Sequence, residues 1–378
     1  MAIAVEPQTR TRTAGRRRSK TAAIDCDIHN ALPSDEAIRK YLPRRWRNHH
    51  RVFGLRGHIG CEYPRASPNA ARHDSWPPSG LPAGSDLDFL REQLLDEWDM
   101  EYGILNCLIG AGRQQNLEFG AAFSQGLNDW QIEGWLDPEP RLRASVVIPY
   151  EDGELSAAEI DRVGDHPGYV QVLVAARTQQ PLGRRKYWKI YEACERHDLP
   201  FGIHFGGNSG QPLTGGGWPN HYYEDHAGMP QAFQSQVISL VTEGVFERFP
   251  GLKVVLIEGG FAWLPPLMWR LDRSWRRLKE EVPDLRRLPS ETIRRHFWLT
   301  TQPMEEPPRH EYLVQLLEQL DMDDRLLFAT DYPHWDFDSP AQAIPPSLPR
   351  EFRRGVMSEN ARSLYDFGEG SGGFLAAE

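Results

Sequence analysis

Eight short β-rich apolar runs, alternating with longer segments of helical spacing, constrain this chain more than any other feature. The runs span 21–29, 102–110, 142–149, 169–175, 200–206, 252–260, 296–302 and 325–333. Helical patterns fill the intervals at 86–101, 116–136, 154–164, 185–198, 231–249, 262–282 and 311–321, and a last one closes the chain at 350–367. Strand–helix alternation of this kind predicts parallel strands joined by crossover helices. Eight units in 378 residues predict an α/β fold, a (β/α)8 TIM-type barrel with insertions. A doubly wound open sheet is the competing arrangement. It usually brings a glycine-rich phosphate turn after its first strand, and HNALPSDE is not one.

Two connections are long, 30–85 and 206–230, both rich in glycine and proline yet carrying Trp76, Trp218, Tyr222 and Tyr223. Each follows an odd-numbered strand at the end where a barrel builds its site, so both are expected as lids. The chain then divides into a disordered basic tail over 1–20, one barrel over 21–368 and a flexible end over 369–378. Six basic residues against one acid make the tail +5 and leave −15 for the rest of a chain of net charge −10. An acidic body lacks the basic face of a nucleic-acid binder. No apolar run approaches the ~20 residues of a membrane span. The triple arginine 16–18 is not followed by the apolar stretch of an export signal. The four cysteines are scattered, with no C-x-x-C pair, which predicts free thiols in a reducing compartment rather than a zinc knuckle or a disulfide framework. The expectation is a cytoplasmic protein acting on a small molecule, with no nucleic-acid or membrane partner.

The first run, IDCDIHN, places Asp25, Asp27 and His29 at alternate positions, where strand geometry predicts one shared face, with Ile24, Cys26 and Ile28 on the other. Buried ionisable groups are costly unless paired or bound to a metal. Asp27 and His29 fall at the strand's C-terminal, catalytic end, and Asp25 lies deeper as a supporting group. His204 ends the fifth run and Asp331 the eighth. Each alone reads as a core histidine or a helix cap. Together, three strand ends offer imidazole and carboxylate groups suited to zinc, manganese or iron.

With these residues in view, the chain resembles the amidohydrolase superfamily, in particular the amidohydrolase-2 group that includes aminocarboxymuconate-semialdehyde, resorcylate and carboxyvanillate decarboxylases. The motifs are IDCDIH, GIHFGG, RFPGLKVVLIEGGFAWLP and LLFATDYPHWD, and the similarity covers about 21 to 368. It implies a distorted barrel holding one divalent ion, zinc first and manganese second. The implied ligands are Asp27, His29, His204 and Asp331, with Asp331 doubling as a proton carrier. The sixth strand departs from the group: Glu258 stands where many members have histidine. Glu258 is the second catalytic candidate, able to hold a water or accept a proton.

Further candidates for substrate contact or ligand support are Arg177 after the fourth strand, Glu224 and His226 on the second lid, and His334 and Asp336 after Asp331. The leading expectation is hydrolysis of a small carboxylated or cyclic substrate through a metal-activated water. The alternative is non-oxidative decarboxylation of an aromatic or unsaturated acid, and a second alternative is a metal-free binding protein. Related barrels often dimerise, and a homodimer is the expected assembly.

Overall fold

A computed structural model describes residues 22–55, 70–207, 212 and 216–367. The expected tails over 1–20 and 369–378 lie outside the described residues, as do parts of both long connections. Among the described residues, eight parallel strands form one sheet in sequential order: β1 (Ala23–Ile28), β2 (Met100–Leu105), β3 (Leu142–Val147), β4 (Tyr169–Ala175), β5 (Phe201–His204), β6 (Val254–Ile257), β7 (Phe297–Thr300) and β8 (Leu326–Leu327). Seven fall inside a predicted run, and β2 starts two residues before its run, which begins at 102. The seam between β8 and β1 closes through backbone bonds, Cys26 N–H to Phe328 O (2.9 Å), Asp331 N–H to Asp27 O (3.1 Å) and His29 N–H to Tyr332 O (2.7 Å). The result is the predicted barrel.

Residues of the strands are almost all buried because helices cover the outside while side chains fill the inside. The helix Leu117–Gln131 starts where the Asn116 side chain accepts the Phe119 N–H, and Gly153–Val163 starts where Asp152 accepts the N–H groups of Glu154 and Leu155. These are N-caps supplied by the residue types that favour them.

Alternation along β1 does not hold as predicted. Its pairing with β2 shifts register between Asp25 and Ile28. Ile24 and Cys26 pack with Ile104, Val255 and Leu327, whereas Ile28 joins the separate apolar cluster that contains Leu95 and Leu105. An extra residue in a strand redirects the side chains beyond it. Asp27 and His29 reach the ligand cluster at the barrel mouth, while the Asp25 carboxylate bonds to Thr330 beyond β8.

Both long connections return to the mouth. The one after β1 pairs Ala71 with His334 and sends Arg72 N–H to Pro333 O (3.0 Å). The one after β5 contains a short helix, Tyr222–Ala227, whose Tyr222 hydroxyl accepts the Trp335 indole N–H (3.2 Å). Their described parts cover the site as lids would. Among the described residues no helix is long and apolar enough to cross a membrane.

Candidate metal centre

Asp27, His29, His204 and Glu258 come from the ends of β1, β5 and β6, and one ligand atom of each lies within 4.8 Å of the others. His204 donates Nδ1–H to the Phe205 carbonyl (2.7 Å), which fixes its tautomer and leaves the Nε2 lone pair facing inward. That Nε2 is 3.4 Å from Asp27 Oδ2 and 3.4 Å from Glu258 Oε2. All three atoms are buried and have no hydrogen-bond partner among the described residues. With His204 neutral, these are three converging acceptors with no donor between them, which is unfavourable in a dry interior, and a divalent cation resolves all three at once. The donors fit such an ion: imidazole nitrogen and carboxylate oxygen, without thiolate.

His29 repeats the arrangement. Its Nδ1–H goes to the Asn106 carbonyl (2.8 Å), and Nε2 faces Asp331 Oδ1 at 2.8 Å and Asp27 Oδ1 at 3.4 Å. A neutral ring of that tautomer sets a lone pair against a carboxylate, so a proton or a cation must lie between them. Asp331 Oδ1 also takes a bond from His334 Nδ1 (2.6 Å), whose ring stacks on His29 with centroids 4.3 Å apart, and Oδ2 accepts from Gln302 (3.2 Å).

Glu258 and Asp331 both have positive φ, 60° and 61°. For residues with a Cβ this costs on the order of 1 kcal/mol each. The turns are held by Glu258 N–H to Thr300 Oγ1 (3.0 Å) and by Asp331 N–H to Asp27 O. Each turn points a carboxylate into the mouth, Glu258 directly after β6 and Asp331 four residues after β8.

Charges inside the cluster move their partners. Burial pushes Asp27 up, but the nearby His29 and His204 outweigh it and hold it at about 2. Burial pushes His29 down, and Asp27 and Asp331 override this to raise it to about 9. Glu258 is raised well above the carboxylate range by burial, then by Asp331 and Asp27. Asp331 is raised well above it too, by burial, against the pull of His29. Carboxylates crowded this closely cannot all be ionised without added positive charge.

The remaining candidates are placed differently. Arg177 is clamped by Asp225, one Nη to both carboxylate oxygens at 2.9 Å, and lies over the Phe205 ring. It lines a cavity of about 190 Å³ beside His204, whose other walls include Ile109, Val147, Leu173 and Arg113. His226 pairs with Asp336 (3.1 Å) next to Glu258. Glu224 is not brought to the cluster; it is exposed and bonded to His221 (2.7 Å). Asn106 was missed from the sequence. It binds Asp27 Oδ1 (2.9 Å) through its amide, receives His29 on its carbonyl, and is itself held by Ser145 (2.6 Å) and Gln171 (3.4 Å). Its signal was a lone amide in the middle of the second apolar run, directly after the end of β2.

The amidohydrolase family profile matches residues 24–367, and the chain belongs to that family. It is an enzyme, a metal-dependent hydrolase or decarboxylase. Among its relatives is a gamma-resorcylate decarboxylase of Polaromonas sp., 27% identical over 300 residues, 74% of this chain and 87% of that one. Another, from Rhodococcus jostii, is 26% identical over 303 residues, covering 74% and 88%. The fold is shared with an amidohydrolase from Mycobacterium avium subsp. paratuberculosis, at a TM-score of 0.68 and 21% identity, over 93% of this chain and 100% of that one. It is also shared with a dihydroxybenzoic acid decarboxylase from Polaromonas sp., crystallised with manganese and 2-nitroresorcinol, at 0.64 and 22%, over 91% and 96%.

Proposed function

We propose that this enzyme is a non-oxidative decarboxylase of a small phenolic or unsaturated carboxylic acid, rather than the hydrolase that the sequence suggested first. The observation that carries this is the cavity: about 190 Å³, walled largely by apolar side chains, bordered by Arg113 and Arg177, and opening beside His204. A single-ring acid suits such a space, with its ring on the apolar wall and its anionic groups toward the arginines and the cluster. The curated relatives with gamma-resorcylate decarboxylase activity support decarboxylation over hydrolysis.

In this reading Asp27, His29, His204 and Asp331 hold the ion, with Glu258 within reach. Manganese suits the carboxylate-rich donor set as well as zinc does, and the Polaromonas enzyme crystallised with manganese supports it. When bound, the ion supplies a fixed positive charge that polarises a substrate oxygen. The chain's own task is the proton. As the bond to the carboxylate breaks and CO₂ leaves, the electron pair stays on the ring carbon and must receive a proton, with no net oxidation. Asp331 stands beside the other ligands as the proton carrier, and His334 Nδ1 lies 2.6 Å from its Oδ1, so that a proton can be passed in from behind. A metal-free binding protein would leave Asp27 Oδ2, His204 Nε2 and Glu258 Oε2 buried together without a counter-group.

The test is a substrate panel run on manganese-loaded protein, with phenolic acids assayed for CO₂ and lactones and amides assayed for released acid. CO₂ with the matching phenol is expected. Acid release from a lactone or amide without CO₂ would overturn the reading.

A further inference from the structure

Glu258 stands between two groups of ligand atoms. On one side are Asp27, His29 and His204. On the other are His226 and Asp336, and one ligand atom from each of His226, Glu258 and Asp336 lies within 4.8 Å of the other two. The helix Tyr222–Ala227 brings His226 in from the lid after β5, and the loop after β8 brings Asp336. The sequence suggested only substrate contact or ligand support for these two residues.

Charge balance gives the second group a purpose. Four carboxylates, Asp27, Glu258, Asp331 and Asp336, gather at one mouth, and one divalent ion balances two of them. Arg177 bonds to both oxygens of Asp225 through one Nη. Glu258 is only 3% exposed, and its Oε2 has no hydrogen-bond partner among the described residues. Buried carboxylates without a counter-charge are costly.

We propose that His226, Glu258 and Asp336 hold a second divalent cation, bridged by the Glu258 carboxylate to the ion at Asp27, His29 and His204. This rests on the metal-centre reading of the first cluster. One imidazole and two carboxylates form a donor set for manganese, iron or zinc. The site is the more open of the two, with the side chains of His226 and Asp336 20% and 14% exposed against 6% or less for His29, Asp27 and His204. The second ion is therefore the weaker and the first to leave. It also ties the lid helix to the ends of β6 and β8, so its occupancy sets how firmly the mouth is closed.

The experiment is equilibrium dialysis of chelator-stripped, full-length protein against manganese(II), from low micromolar to millimolar, with bound metal counted per chain. Two equivalents of different affinity are expected. His226→Ala and Asp336→Asn should each keep the tight ion and lose the weak one. The saturated wild type should show the electron paramagnetic resonance lines of a coupled manganese pair, and both variants should lack them. His226→Gln, closer in size to histidine, is the folding control: against a wild type of two equivalents it should keep the tight ion and lose the weak one, and a variant that keeps both places the second ion elsewhere. A single equivalent in the wild type, or a second that survives these variants as an adventitious ion, overturns the second site and leaves the proposed function standing. Protein that takes up no metal overturns both.

Discussion

The carboxylate of Asp25, on β1, accepts both the backbone N–H and the hydroxyl of Thr330, just beyond β8, and so bonds the two strands across the barrel seam. Its Oδ1 also takes the N–H of Asp27 (3.1 Å), so it braces the first ligand position without facing the mouth. Burial pushes its pKa up from 3.8 to about 7, against the pull of the Thr330 bonds. An acid raised on folding binds its proton more tightly in the folded chain. Its stabilising contribution is complete below about pH 4 and is lost as pH rises toward 7. Chelator-treated Asp25→Asn protein, which cannot titrate there, should show a flatter dependence of urea midpoint on pH between those limits. Parallel profiles would rule this out.

Asn106 should matter to metal affinity although it is not itself a ligand. Its amide orients Asp27 and its carbonyl fixes the His29 tautomer. Groups that orient ligands typically contribute about 10–100-fold in affinity. Asn106→Ala keeps the carbonyl and loses the amide, so about a 10-fold loss of manganese affinity is expected by competition with a chelator. Asp27→Ala should abolish retention altogether through gel filtration. An Asn106→Ala affinity equal to wild type would remove Asn106 from the site.

The strands were legible because parallel barrel strands are buried on both faces and read as apolar runs. Asp27, His29, His204 and Asp331 were legible for the same reason, since an ionisable group at the end of such a run is out of place. The helix Arg44–Phe53 was not: it is mostly polar, and only Trp46 and His50 are buried. Pro289–His296 was hidden by its two-turn length, and Tyr222–Ala227 by the glycine-rich connection around it. The pairs Arg177–Asp225 and His226–Asp336 join residues 48 and 110 apart, and no periodicity encodes them. The register shift in β1, which falls between Asp25 and Ile28, likewise has no sequence signature.

Metal binding should release a proton. In the metal-free protein His29 is raised to about 9 because Asp27 and Asp331 outweigh its burial, so it is protonated at neutral pH. A ligand imidazole must be neutral, and the proton leaves as the ion enters. Calorimetry at pH 7 in buffers of differing ionisation enthalpy should report about one proton released per tightly bound ion, with affinity falling as pH drops. The sign for the apo protein follows from the same residue. A raised histidine stabilises the fold fully below its ordinary 6.5, and this stabilisation is lost as pH rises through about 9. Apo protein should therefore lose thermal stability over that interval, and an unchanged apo melting temperature would contradict the assignment.

Arg177 and Asp225 should behave as a coupled unit. Their side chains are 10% and 6% exposed, so the pair is nearly dry. Removing one partner of a buried pair strands the other charge and costs about 3–5 kcal/mol, whereas removing both costs less. Arg177→Ala should lower the urea midpoint more than the double variant Arg177→Ala/Asp225→Ala does. Asp225 lies in the lid helix and Arg177 lines the cavity, so both variants should also weaken substrate binding. The lid's contribution appears in KM, and loss of a transition-state contact would appear in kcat. Arg177→Lys separates packing from recognition. It keeps the charge beside Asp225 and should recover most of the stability, but it lacks the planar fork that can engage Asp225 and a substrate carboxylate together. If Arg177→Lys restores KM fully, the arginine serves only to hold the lid.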